Sequence, residues 1–238
     1  MANPLDNRYM TQGQAAVADI DVGLRQYMLK VYNFMSAGLA VTGLVAYFVA
    51  QSDSLLQAIY FSPLRWIVML APIGFAMLFG FRIQQMRAST AQMLYWAFAA
   101  VMGLSLSYIF VAYTGASVAR VFFISAGTFA GMSLYGYTTK RDLAGIGSFM
   151  MMGLIGLILA MLVNLFLHSS ALQFAISVIG VIVFVGLTAW DTQRIKEMYS
   201  AADGAEIGTK KAILGAFQLY LDFINLFVML LQLMGSRR

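Results

Sequence analysis

The stretch KAILGAFQLYLDFINLFVMLLQLM (Lys211–Met234) sets the terms for the whole chain. Past Lys211 its one charged residue is Asp222, and it is long enough to cross a ~30 Å hydrocarbon layer as a helix. Gly215, Gln218, Asp222, Asn225, Met229 and Gln232 recur at spacings of three, four and seven, so they fall on one helical face. Leu, Phe, Ile and Val cover the remaining faces. Such a helix turns its polar stripe toward protein or trapped water. A carboxylate at that depth is costly unless it is paired or protonated.

Working outward, the other 200-odd residues have the same character. The chain has 238 residues, of which 61% are hydrophobic and 11% charged. Soluble domains are about 45–50% apolar and a quarter charged, so the excess must face lipid. The expected fold class is an all-α membrane protein of seven transmembrane helices. Spans are placed at about 27–50, 64–84, 91–113, 119–138, 146–167, 171–190 and 212–234. The domains are a polar cytoplasmic segment, 1–26, and one bundle, 27–238. The first 26 residues lack the pattern of a cleavable signal peptide, so the first span is expected to stay as an anchor. Pro72 lies inside the second span, where a kink is expected. Gly127 with Gly131, and Gly153 with Gly156, mark expected close helix contacts.

Lys and Arg favour the cytoplasmic side of short loops. With the N-terminus inside, that side receives Arg8, Arg25, Lys30, Arg82, Arg87, Lys140, Arg141, Arg194, Lys196, Lys210 and Lys211, and the outer side only Arg65 and Arg120. Arg237 and Arg238 fall outside if the seventh segment spans, and inside if it is re-entrant. His168 falls in an outer loop.

Several chemistries are excluded by composition. There is no cysteine, hence no disulfide or thiolate, and a single histidine, which removes His-rich zinc sites and a histidine base near an intramembrane nucleophile. No enzyme activity and no cofactor is expected. No basic patch suggests nucleic acid.

Two aspartates stand out. Asp191 lies in WDTQRIKEMY (190–199) at the predicted end of the sixth span, where a carboxylate opposes the helix dipole. It pairs locally with Arg194 at i+3, is simply solvated at the membrane surface, or meets Asp222 on the neighbouring helix. The last option carries a tension in depth. Asp222 is ~16 Å along the axis from Lys211, and Asp191 within ~5 Å of the surface, so tilt or a longer sixth helix has to close the gap. If the carboxyls meet they cannot both ionise cheaply, and one shared proton becomes a latch. Arg82, at the end of the second span, is a candidate counter-cation or a simple interfacial anchor. Gln218 and Asn225 flank Asp222 and could line a polar path. Oxygen ligands of this kind suit Ca²⁺ better than transition metals, so Asp191 and Asp222 are candidate Ca²⁺ contacts.

The segments GTFAGMSLYGYTTKRD (127–142), WDTQRIKEMY (190–199) and LYLDFINLF (219–227) resemble the signature segments of the transmembrane Bax inhibitor motif family, in its bacterial branch. The resemblance covers almost the whole chain from about residue 25. It implies six helices wrapped around a central seventh, and a pH-sensitive Ca²⁺ leak whose latch is a pair of aspartates, matched here by Asp191 and Asp222. It also implies a latch arginine near the end of the second helix, best matched by Arg82. The lysine-rich tail of many eukaryotic members is missing, which favours a bacterial inner membrane. The implied partners are the lipid bilayer, Ca²⁺ and protons. A non-conducting adaptor that modulates a partner such as a membrane-bound protease is the alternative, and a proton-coupled transporter is a third reading.

Overall fold

The computed structural model describes residues 12–238, with side chains from Val22 onward except that of Gln84. Among the described residues nine α-helices follow in chain order. They are α1 (Gln12–Ala50), α2 (Asp53–Tyr60), α3 (Leu64–Arg82), α4 (Ala88–Leu106), α5 (Tyr108–Ala112), α6 (Gly115–Thr138), α7 (Ala144–Leu167), α8 (Ser170–Glu197) and α9 (Ala205–Met234). Seven segments are long and apolar enough to cross a membrane: Val22–Ala50, Leu64–Arg82, Ala88–Ala112, Gly115–Thr138, Ala144–Leu167, Ser170–Glu197 and Ala205–Met234. Among the described residues there is no β-sheet, and the chain is an all-α, multi-pass membrane protein. Of the polar segment 1–26, residues 1–11 lie outside the described part, while from Gln12 the backbone is helical and continuous with the first span.

Helix boundaries follow local chemistry. Thr114 and Ser169 cap α6 and α8, each side-chain oxygen accepting from a backbone N–H three residues on. α7 ends at His168, which takes the left-handed conformation (φ 50°) and leaves its imidazole exposed. α3 runs through Pro72 to Arg82.

α9 carries the core. It is the most buried of the seven spans, and α7 the least. Its neighbours are α8, α1, α6 and α4, whereas α7 leans mainly on α8 and shows Phe149, Leu159 and Phe166 to the outside. Phe217 stacks on Phe79 of α3 with ring centroids 4.5 Å apart and meets Phe98 of α4 edge-on at 4.9 Å. Tyr220, one turn on, touches Phe98 at 5.4 Å, and its hydroxyl lies 2.6 Å from that of Thr42 on α1. Thr42 in turn donates to the carbonyl of Ala99 at 2.8 Å. Each aromatic pair is worth about 0.5–1.5 kcal/mol beyond the area it buries, so this column ties α1, α3 and α4 to α9.

The seventh segment spans. At one end Glu206 accepts from the backbone N–H of Ala88, and Thr209 from Lys30; most Lys and Arg gather here, at the basic end. Thirty residues on, about 45 Å along the axis, the tail meets the α5–α6 corner. Thr114 N–H donates to Ser236 C=O at 3.1 Å, Arg238 N–H to Ala112 C=O at 3.0 Å, and Ser236 N–H to Ser117 Oγ at 2.9 Å. A re-entrant segment could not reach this opposite end, so Arg237 and Arg238 sit there.

The glycine expectation needs correction. The buried face of α6 is Val118, Val121, Ser125, Phe129, Ser133 and Gly136. Gly127 and Gly131 lie off that face and are exposed, and a methyl group added at either would touch nothing. The close approach is at Gly136, where a Cβ would come within 2.1 Å of the Ala189 carbonyl oxygen on α8. In α7 Gly153 does make a close contact, a Cβ there coming within 3.0 Å of Val183 Cγ2 on α8, while Gly156 has open space and the tightest approach is at Gly147, pressed against the Trp190 indole.

Candidate functional site

α8 continues well past the point where its apolar run stops. The polar residues from Asp191 to Glu197 form nearly two further turns of helix, so Asp191 is not at a terminus. α9, for its part, begins at Ala205, six residues before Lys211. Two close contacts fix the antiparallel register of α8 and α9: Gly215 lies against Ile195, and Gly180 against Met229. Asp222 is seven residues beyond Gly215, which puts it level with Thr188, seven residues before Ile195. Asp191 is then a single turn from that level, a step of about 5 Å that two side chains span. The depth tension disappears because the sixth helix is longer than its hydrophobic run.

The register of α8 and α9 puts the two carboxyl groups within side-chain reach of each other. Asp222 is 5% exposed, and its Oδ2 has no donor in reach. Two carboxylates offer only acceptors, so a hydrogen bond between them needs one proton. Arg194 is the cation that acts on Asp191, with its guanidinium also over the Trp190 ring at 5.6 Å. Among the described residues no ion pair joins Asp191 to Arg194.

The structure does not bring Arg82 to the pair. Arg82 is exposed and, among the described residues, forms no ion pair. Its helix touches α9 through Phe79 and Phe217, five residues short of Asp222, and Arg82 lies three residues further toward the basic end. The axial separation is about 12 Å. Of the expected polar path, Asn225 donates to the Leu221 carbonyl of its own helix at 2.8 Å. Gln218 keeps a buried Oε1 that has no donor. Gln232 belongs to a separate cluster near the opposite end, accepting from Gln173 at 2.7 Å and Ser177 at 2.9 Å, with Gln173 taking a bond from Asn164.

Sequence reasoning missed the residues that hold Asp191 in place. Thr192 donates to the Thr188 carbonyl at 2.7 Å, and its hydroxyl is 3.0 Å from that of Ser133, which meets the Tyr32 hydroxyl at 2.6 Å. This hydroxyl chain links α8, α6 and α1. Gln193 accepts from Leu143 N–H and donates to Arg141 C=O, both at 2.8 Å, and Lys196 donates to Tyr137 C=O at 2.8 Å. The end of α8 thus pins the α6–α7 loop. Gln193 and Lys196 stand in the quoted segment 190–199, but their partners are some 50–60 residues away.

Chemically, the pair can hold one proton, or meet a cation with oxygens from Asp191, Asp222 and Gln218. Among the described residues no three or more His, Cys, Asp or Glu side chains cluster as a metal site. Ca²⁺ takes six to eight oxygens, more than these three side chains supply.

Seven membrane-length helices, with Asp222 buried on the last of them, define a polytopic membrane protein. Residues 24–238 match the family model described as "Inhibitor of apoptosis-promoting Bax1". The chain is 52% identical over 218 residues to a protein of Rickettsia prowazekii, with 92% of each covered. It is 47% identical over 219 residues to the inner membrane protein YbhL of Escherichia coli, covering 91% of this chain and 94% of that one. A Caulobacter vibrioides protein is 44% identical over 232 residues, with 92% of each covered. The chain belongs to the Bax inhibitor-1 family.

Proposed function

We propose that this chain is a proton-gated cation leak, for Ca²⁺ foremost, of a bacterial inner membrane, with Asp191 and Asp222 as its latch. The location is supported by the description of the E. coli relative as an inner membrane protein. The observation that carries the gating is the buried, donorless Oδ2 of Asp222 beside the carboxyl of Asp191. With one proton between them the carboxyls bind α8 to α9. Without it the two like charges repel, and a generic pair at ~4 Å costs roughly 4 kcal/mol at an effective dielectric near 20. That exceeds what one helix–helix hydrogen bond returns. Loss of the proton therefore favours separation, and flux rises with pH. Arg82, exposed and distant along the axis, does not offset this repulsion, and Arg194, itself exposed, offsets it in part and only on the Asp191 side. The oxygens of Asp191, Asp222 and Gln218 suit a hard cation once the helices part.

The test is purified protein in liposomes carrying a Ca²⁺ indicator, followed across a pH series. Wild type should pass Ca²⁺ increasingly as pH rises. Absence of flux at every pH refutes the leak and leaves a non-conducting adaptor, acting on a partner such as a membrane protease, as the reading to pursue. Proton flux that depends on an added solute would instead mark a transporter.

A further inference from the structure

α1 packs on α4 and α9, α6 packs on α8 and α9, and between α1 and α6 lies a groove of about 1190 Å³. Its floor is the face of α9 formed by Phe223, Ile224 and Phe227. Its rims, Leu29 and Leu44 on one side and Phe123 and Leu134 on the other, are exposed, so it opens sideways where the spans face lipid. Small residues make the space: Ala40 and Gly43 on α1, Ala126 and Ala130 on α6. A Cβ added at Gly43 would touch nothing.

We propose that this groove binds one anionic glycerophospholipid, with its phosphate at Arg25 and its acyl chains running to Phe223. Three observations select that occupant. A void lined by apolar atoms does not hold water, and in hydrocarbon the molecules that reach a lateral opening are acyl chains. The basic end of the groove is polar and positive. Arg25 lines it, free of any ion pair among the described residues, beside Tyr32, Ser133 and Tyr137. Lys196, outside the lining and donating to the Tyr137 carbonyl, adds a second positive charge nearby, 5.4 Å from the Tyr137 ring. Anionic headgroups are drawn to such clusters. The length also fits. From Arg25 to Ala40 is about 22 Å of helix, and one leaflet with its headgroups is about 20–22 Å deep. Phe129 and Phe223, with ring centroids 5.7 Å apart, stand where the chain ends would lie.

Native mass spectrometry of the full chain in detergent, with phosphatidylglycerol and phosphatidylcholine added in equal amounts, tests this. One phosphatidylglycerol should be retained per chain, preferred by about fivefold for one basic contact. Arg25→Gln should abolish the preference while keeping a lipid adduct. Gly43→Phe with Ala130→Phe should lose the adduct, whereas Ile158→Phe on the exposed face of α7 should leave it intact. If the double variant does not fold, Gly43→Phe alone, placed in open space, serves in its stead. Retention of phosphatidylglycerol by a folded, filled groove overturns the site. Equal retention of both lipids by the wild type overturns the headgroup assignment.

Discussion

Substituting Gly136 by alanine should loosen the bundle at the contact that holds α8 against α6. The added Cβ would sit 2.1 Å from the Ala189 carbonyl oxygen and 2.9 Å from its carbon, and ordinary contact begins at 3.4 Å. Both obstacles are backbone, so no side chain can swing aside, and the helices must part by about 1.3 Å, the shortfall from that limit. One turn away, Ser133 and Thr192 are 3.0 Å apart. A separation of that size takes them past hydrogen-bonding distance. Overpacking costs ~1–3 kcal/mol and a lost buried hydrogen bond ~0.5–1.5, so the two together come to about 2–4 kcal/mol. At about 2–4 °C per kcal/mol for a chain of this size, the melting temperature should fall by roughly 5–15 °C. Thermal unfolding in detergent, followed by intrinsic fluorescence, reads this directly. Gly127→Ala is the control, because its Cβ meets nothing and alanine is the better helix former by up to ~1 kcal/mol. It should melt with wild type or slightly above. Equal melting temperatures for the two variants would refute the α6–α8 contact at Gly136.

Asp222→Asn keeps the side-chain shape but cannot titrate, so liposomal Ca²⁺ flux should lose most of its pH dependence. Asp191→Asn should do the same, and the double variant should add little, because each removes one shared titration; an unchanged pH profile in Asp222→Asn would sink the latch. Gln193→Leu strands the Leu143 N–H and the Arg141 carbonyl, and should cost about 1–3 kcal/mol in unfolding and speed proteolysis within residues 139–143. With no native cysteine to interfere, a cysteine at Ser169 should react with impermeant reagent from outside the cell; labelling only from the cytoplasm would reverse the orientation expected from Lys and Arg.

Composition and periodicity make the seven spans visible because lipid imposes length and apolarity residue by residue. Asp222 is visible for the same reason, as a charge where the medium tolerates none. Its partnership with Asp191 was obscured because helix length was inferred from hydrophobic length. α8 outlasts its apolar run, since Gln193 and Lys196 find partners in a loop distant in sequence, and nothing local announces those partners. Gly127 and Gly131 look like a packing motif by spacing alone, yet the side of α6 that is buried carries Ser125, Phe129 and Ser133, and α8 meets it at Ser133 and Gly136. Hydroxyls such as Thr192 and Tyr32 read as neutral in a lipid-facing helix, and only three-dimensional contact shows them as a chain. Arg82 has the right charge at the right end of its helix, and its height relative to Asp222 depends on how Phe79 meets Phe217.

The burial of α9 bears on how the protein is made. Six spans leave the ribosome before the helix that supplies their shared interior. Until then Phe79 and Phe98 have no Phe217 to meet, and Thr42 has no Tyr220. The early spans must wait in the bilayer as a loose assembly, held by pairs such as α1 with α4 and α7 with α8, with lipid in the place of the core. Insertion of α9, carrying a carboxyl that is costly in hydrocarbon until Asp191 receives it, is then the step at which assembly either completes or fails. A chaperone or protease that inspects this protein would find its signal in that interval.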